Sequence, residues 1–337
     1  MLKIFKPCDF HVHLREGSLS QFVLKENNKH FQKILVMPNL ENPLTNAELL
    51  LKYRNKILKM NKSSEVLFTI YLNNNCSMRD LNYMQKNNLF FAAKLYPLNA
   101  TTNSGSGVSD IKKMAKYFSF LEDHNIPLCI HGEHVHENDD PYEREKKFLD
   151  LELSWIIKNF KSLKITLEHI TTKDSVSFVK SNKNISATIT THHLLENTHT
   201  FLGGNLRPEL FCKPIIKSSI HQEALQKVAL SGSSKFFFGS DSAPHLKSRK
   251  YAPACCAGVY STKYSISNII ELFWINKKTS NLNKFLTLNG CKHYGLKYDN
   301  KSYKYKRIKN FKFQKYSKFQ NDHLINYNYF KNFWTEV

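Results

Sequence analysis

A chain of 337 residues, 41% apolar and 23% charged, can fill one large α/β core or two ordinary ones, which excludes a disordered or fibrous protein. The start lacks a secretory apolar segment and no apolar run approaches the ~18 residues that span a bilayer, so a cytoplasmic protein without a membrane partner is expected. The net charge of +21 comes from lysines scattered over the whole length, which attract small anions without forming the arginine-rich patch of a nucleic-acid partner.

In chain order, the first apolar run, 2–10, alternates like a strand and ends in "DFHVHLRE", where His11 and His13 sit two apart and project from one face. Further short β-rich runs follow at 33–38, 65–72, 89–96, 126–131, 163–170, 185–191 and 235–240. Helical patterns fill 44–60, 77–88 and 141–160, and the clearest is 110–123, where Ile111, Met114, Ala115, Phe118 and Leu121 recur at helical spacing. Strand alternating with helix in this way predicts an α/β fold, a (β/α)8 TIM barrel over 1–300. A doubly wound open sheet has the same periodicity. The barrel is preferred because His11/His13, Lys94, His131, His169 and Asp241 end five different runs, and closure brings those ends to one rim.

From 301 to 337 the texture changes to "KSYKYKRIKNFKFQKYSKF", basic and aromatic with almost no acid. A platform for single-stranded nucleic acid has this composition. With no accompanying RNP motif, the better reading is a C-terminal extension of edge strands packed on the barrel. Tyr303, Tyr305, Phe311 and Phe313 would face inward and lysines guard the edge. Seven cysteines without a Cys-x-x-Cys pair fit a reducing compartment.

Four histidines and an aspartate on strand ends exceed the needs of one tetrahedral site, so two metals are the economical reading. Cations held ~3.5–4 Å apart need an anion between them. Lys94 ends an apolar strand with no acidic neighbour in sequence, and burial favours its neutral amine, which can take up carbon dioxide as a bidentate carbamate. A surface lysine with a buried stem is the plainer alternative.

The motifs "HVHLR", "MPN", "KLYPLNATTNSGSGV", "IHGE", "EHITT" and "GSDSAPH", in this order and spacing, resemble the short stand-alone bacterial dihydroorotases of the amidohydrolase superfamily from residue 7 to about 300. The resemblance implies two zinc ions per subunit. His11, His13 and Asp241 would hold one, His131 and His169 the other, with carboxylated Lys94 and a hydroxide bridging them. It also implies that Arg15, Asn39 and His245 grip the substrate carboxylate, and that Thr101 and Thr102 reach over the ligand from a mobile loop. Ala257 would meet the pyrimidine ring through its backbone, and Lys213, standing where relatives of this type can carry an apolar residue, would contact substrate through its amide.

The implied activity is the reversible cyclisation of N-carbamoyl-L-aspartate to L-dihydroorotate with loss of water, a step of de novo pyrimidine biosynthesis, in a homodimer, with Asp241 as both ligand and proton carrier. His192 and His193 are expected to be structural because the ligand set is complete without them, and His134 and His136 to be solvated. The near rival is a dihydropyrimidinase or hydantoinase, whose substrates lack the ring carboxylate that Arg15 and Asn39 suit. A basic nucleic-acid binder with structural zinc is the distant one.

Overall fold

The computed structural model describes residues 1–337. The expected first strand, 2–10, is two strands, β1 (Leu2–Phe5) and β2 (Cys8–Val12). The interruption falls at Pro7, which has no N–H to donate to a ladder. β2, β3 (Lys33–Val36), β4 (Glu65–Leu72), β5 (Ala92–Leu95), β6 (Leu128–His131), β7 (Ile165–Glu168), β8 (Ile185–Ile189) and β9 (Phe236–Phe238) pair in that order, all parallel. Just beyond β9 the sheet closes on β2. Val12 bridges Ser242, Asp241 N–H donates to His11 O at 2.9 Å, and Ser240 donates through N and Oγ to the Asp9 carboxylate at 2.8 and 2.6 Å. The fold is a (β/α)8 TIM barrel.

Strand alternation sorts the residues into two layers. Ile34, Val36, Phe68, Ile70, Ala93, Leu95, Ile130, Leu167 and Phe238 belong to the large core shared with the helices. A smaller core of Cys8, Phe10, Leu35, Ala92, Cys129 and Phe237 is plugged by Cys291 and Tyr294 of the terminal barrel helix, Asn289–Tyr294. That helix approaches so closely that a Cβ on Gly290 would lie 2.1 Å from the Phe10 ring. Above this apolar floor the strand positions of the same register are polar: Thr69, Lys94, His131, Thr166, Glu168 and Thr188, all buried. The barrel axis therefore runs from an apolar bottom to a polar rim at the strand C-termini, where barrel active sites lie.

The 141–160 segment forms helices Arg144–Phe148 and Ser154–Asn159 joined by a wider turn at Leu149–Leu153, and the 110–123 helix opens with a tight turn at Ile111–Met114. In the C-terminal region β10 (Ser302–Ile308) pairs antiparallel with β1 and with β13 (Phe333–Glu336), while β11 (Tyr316–Phe319) pairs with β12 (Asp322–Ile325). Tyr305 is buried and Tyr303 and Phe311 half-buried, with Lys304 and Lys306 exposed between them. Phe313, expected to face inward, is exposed; like Phe311 it lies outside any strand, but Phe311 stacks on Phe333 and is half-buried. All seven cysteines are free, and no helix is long and apolar enough to cross a membrane.

Candidate active site

β2 delivers His11 and His13 to the rim through a shift in its register against β3 between Asp9 and Val12, a bulge that re-aims side chains. Phe10 can thus point into the apolar floor while both imidazoles reach the polar end, their rings 5.3 Å apart. The His11 ring stands 5.0 Å from that of His169, and His169 stands 4.8 Å from His131, so four imidazoles run in a row across the rim. Asp241 faces the first two: its Oδ1 is 2.9 Å from His13 Nε2 and 3.3 Å from His11 Nε2. Donor atoms of His11, His169 and Asp241 all lie within 4.8 Å of one another.

Two members of the row, His11 and the terminal His131, each meet a carboxylate that sequence reasoning missed. Glu168 Oε2 meets His11 Nδ1 in a short contact and accepts from Thr188 Oγ1 at 3.0 Å. Glu133 Oε2 lies 2.7 Å from His131 Nε2. An imidazole whose one nitrogen donates to a carboxylate keeps the lone pair of the other, the tautomer a metal ligand needs. Glu168 in "EHITT" and Glu133 in "IHGE" were both within the quoted motifs, and their proximity to a ligand was the available signal. Burial, despite the Glu168 and Asp241 charges, lowers the His11 pKa, and burial followed by Arg15 and Lys94 holds that of His13 well down, so both rings are neutral.

Lys94 is fully buried on β5, and its Nζ has no hydrogen-bond partner in the protein. Burial lowers its pKa. A snorkelling surface lysine would have its ammonium in water, so that alternative fails here. His169 Nδ1 is likewise buried without a partner. Neutral imidazoles, a carboxylate, an unpartnered amine and an orphaned ring nitrogen are donors of the kind that a borderline divalent metal takes, and the residues present fit such a group.

Arg15, His169 and Asp241 have left-handed backbone, φ 63°, 42° and 44°. Such strain in non-glycine residues gathers at functional sites. Arg15 Nη2 is 3.0 Å from His245 Nε2, which also lies 2.9 Å from Ala257 O. Accepting from Arg15 needs a lone pair on that nitrogen and donating to Ala257 O needs a proton, so the two contacts belong to opposite tautomers. Arg15, Asn39, Thr101, Thr102, Lys213 and Ala257 line a single cavity of about 20 Å³ together with His13 and Asp241.

The 98–108 loop, expected to be mobile, is folded over this cavity. Asn39 Nδ2 donates to Thr102 O at 3.0 Å and Thr102 Oγ1 to Ala257 O at 3.3 Å. Arg15 and Thr102 also line a larger outer basin of about 740 Å³ and so stand between this cavity and solvent, whereas His245 lines the outer basin and not the inner cavity.

His192 and His193 lie with Cys212 in a second buried group. His193 contacts Thr190 Oγ1 at 2.8 Å and Pro214 O at 3.1 Å, and Cys212 Sγ donates to Pro214 O at 3.3 Å, whereas both ring nitrogens of His192 are buried without a partner. His134 is not free in solvent as expected, because its Nδ1 is 2.6 Å from Asp139 Oδ2.

An eight-stranded parallel barrel with four histidines, an aspartate and a buried lysine converging on its C-terminal rim defines the class: a barrel hydrolase of the amidohydrolase type with a candidate metal centre. No family model matches the chain. It is 42% identical over 298 residues to a dihydroorotase of Vibrio campbellii, covering 88% of this chain and 87% of that one. A crystal structure of a Campylobacter jejuni dihydroorotase superposes with a TM-score of 0.89 at 36% identity, covering 99% and 97% of the two chains. A dihydroorotase from Saccharomyces cerevisiae, solved in complex with 5-fluoroorotic acid, superposes with a TM-score of 0.89 at 28% identity over 100% and 99%. The chain belongs to the dihydroorotase family.

Proposed function

We propose that this site interconverts N-carbamoyl-L-aspartate and L-dihydroorotate with two zinc ions, held by His11, His13, His131, His169 and Asp241 and bridged by carboxylated Lys94. The observation that carries the metal reading is the unpartnered Lys94 Nζ, wholly buried on a strand whose neighbour β6 ends in His131 at the same rim. When bound, the metal pair supplies water of lowered pKa and polarises the carbonyl under attack.

The chain's own residues do the rest. Arg15 donates from one side of the cavity and Asn39 and His245 flank it, a grip suited to the ring carboxylate. Asp241, whose Oδ1 lies 2.9 Å from His13 Nε2 at the mouth of the cavity, would carry a proton between the attacking water and the ring nitrogen. The Thr101–Thr102 loop excludes water by closing on Ala257. A small anionic substrate also suits the net charge of +21. The uncharged-ring alternative gives Arg15 no carboxylate to meet, and the binder with structural zinc leaves the whole rim unexplained.

The test is an assay of purified, zinc-loaded protein against L-dihydroorotate, N-carbamoyl-L-aspartate and dihydrouracil. Turnover of the first two with little of the third supports the reading. Preference for dihydrouracil would replace it with a dihydropyrimidinase.

A further inference from the structure

Lys250, at the end of the short helix Lys247–Lys250, is only 3% exposed. Its three ammonium protons go to three main-chain carbonyls and to no carboxylate: Phe211 O at 3.0 Å, Cys256 O at 2.9 Å and Gly258 O at 3.0 Å. An ammonium has three donors, so it is saturated. Burying such a charge against carbonyls alone is unfavourable, and burial correspondingly lowers its pKa.

The carbonyls belong to two separate stretches of chain. Phe211 stands two residues before Lys213, and Cys256 and Gly258 flank Ala257. Lys213 and Ala257 both line the closed cavity. The stretches touch through Gly258 N–H to Phe211 O at 2.9 Å, and Gly258 has φ 142°, where an added Cβ would lie 2.8 Å from that of Ala243. Between the two carbonyls that Lys250 holds, Ala257 O accepts from Thr102 Oγ1.

We infer that Lys250 is a positioning residue for the substrate pocket, clamping the backbone stretches 211–213 and 256–258 into one wall and thereby presenting the Ala257 carbonyl on which the Thr102 loop closes. The inference rests on the proposal that Thr102 and Ala257 face substrate. A lysine acting only as a structural staple would have the same hydrogen bonds, and what separates the two roles is coupling to Thr102.

The experiment is a double-mutant cycle of Lys250→Met with Thr102→Ala in the zinc-loaded full chain, with metal content and steady-state kinetics on L-dihydroorotate. Lys250→Met is expected to raise KM about tenfold or more with a smaller change in kcat and normal metal content, and Thr102→Ala is expected to cost less than about twofold further in that background, although it is damaging alone. Should Lys250→Met not fold, Lys250→Gln, which keeps one shortened donor, is read in the same way. Kinetics within about twofold of wild type, or two losses that multiply, overturn the inference. A silent Lys250 variant beside a damaged Thr102→Ala removes this inference alone. A silent Thr102→Ala beside a damaged Lys250 variant removes the loop's role instead and, by removing the coupling, the inference with it.

Discussion

Glu168 at the end of β7 reaches across the barrel to His11 at the end of β2, and the contact fixes which nitrogen of His11 is left for the rim. Thr188 on β8 steadies the same carboxylate oxygen, so three strands set one imidazole. Burial works to raise the Glu168 pKa, and the basic groups facing it, His11 first and then Lys94, bring it below the ordinary carboxylate value.

Glu168→Gln should therefore leave the fold intact while weakening metal affinity by about 10–100-fold, the usual effect of losing a carboxylate behind a histidine ligand. Competition with a chromophoric chelator measures it. Unchanged affinity would mean that His11 is oriented by β2 alone.

The gathering of these side chains at one rim was legible because polar residues at strand ends stand out against apolar runs, and alternation places Lys94 and His131 on the barrel's inner face beside Ala92 and Cys129. Glu168 escaped because adjacent residues on a strand face opposite ways, so a reading that put His169 inward put Glu168 outward. The structure has both inside: Glu168 is the last strand residue, and His169 turns inward only after the chain leaves the strand at φ 42°. His11 and His13 share a face as alternation expects, and what the sequence hides is the bulge that lets the adjacent Phe10 point into the barrel as well. The split of 2–10 was hidden because the partner of Leu2–Phe5 is β10, three hundred residues away in "SYKYKRI", and no local pattern encodes such a pairing.

Asp241→Asn keeps size and an oxygen donor but cannot carry a proton, so kcat should fall by roughly 10²–10⁴ while KM changes less. Steady-state and pre-steady-state kinetics at matched metal content separate these effects. A kcat within a few-fold of wild type removes Asp241 as proton carrier.

Arg15→Met addresses specificity. Leaving a buried carboxylate without its partner costs about 3–5 kcal/mol, or roughly two to four orders of magnitude in kcat/KM for dihydroorotate. Residual activity on dihydrouracil should be spared by comparison. Equal losses on both rings would assign Arg15 to the fold instead of the carboxylate.

Glu271 ties the C-terminal strands to helix Thr262–Ile275: its carboxylate accepts from Arg307 Nε at 2.9 Å, Asn332 Nδ2 at 2.9 Å and Trp334 Nε1 at 2.7 Å. Burial works to raise its pKa, but these bonds outweigh it and hold the pKa below the ordinary carboxylate value. A depressed folded-state pKa stabilises at pH values above the unfolded pKa, and the contribution disappears as pH falls through the folded value. Glu271→Gln should lower stability by about 1–3 kcal/mol at neutral pH and by less in acid. Urea unfolding at two pH values checks this, and a gap that widens in acid would contradict it.

The most direct test of the account is the metal content of Lys94→Ala. Removing the bridge leaves two cations facing each other unshielded, so the variant should lose both or hold them weakly, with activity at background and partly restored metal binding on adding short carboxylic acids. Atomic absorption on dialysed wild type and variant gives the answer. Two equivalents retained with normal turnover would contradict a carboxylated Lys94 at the centre of the site.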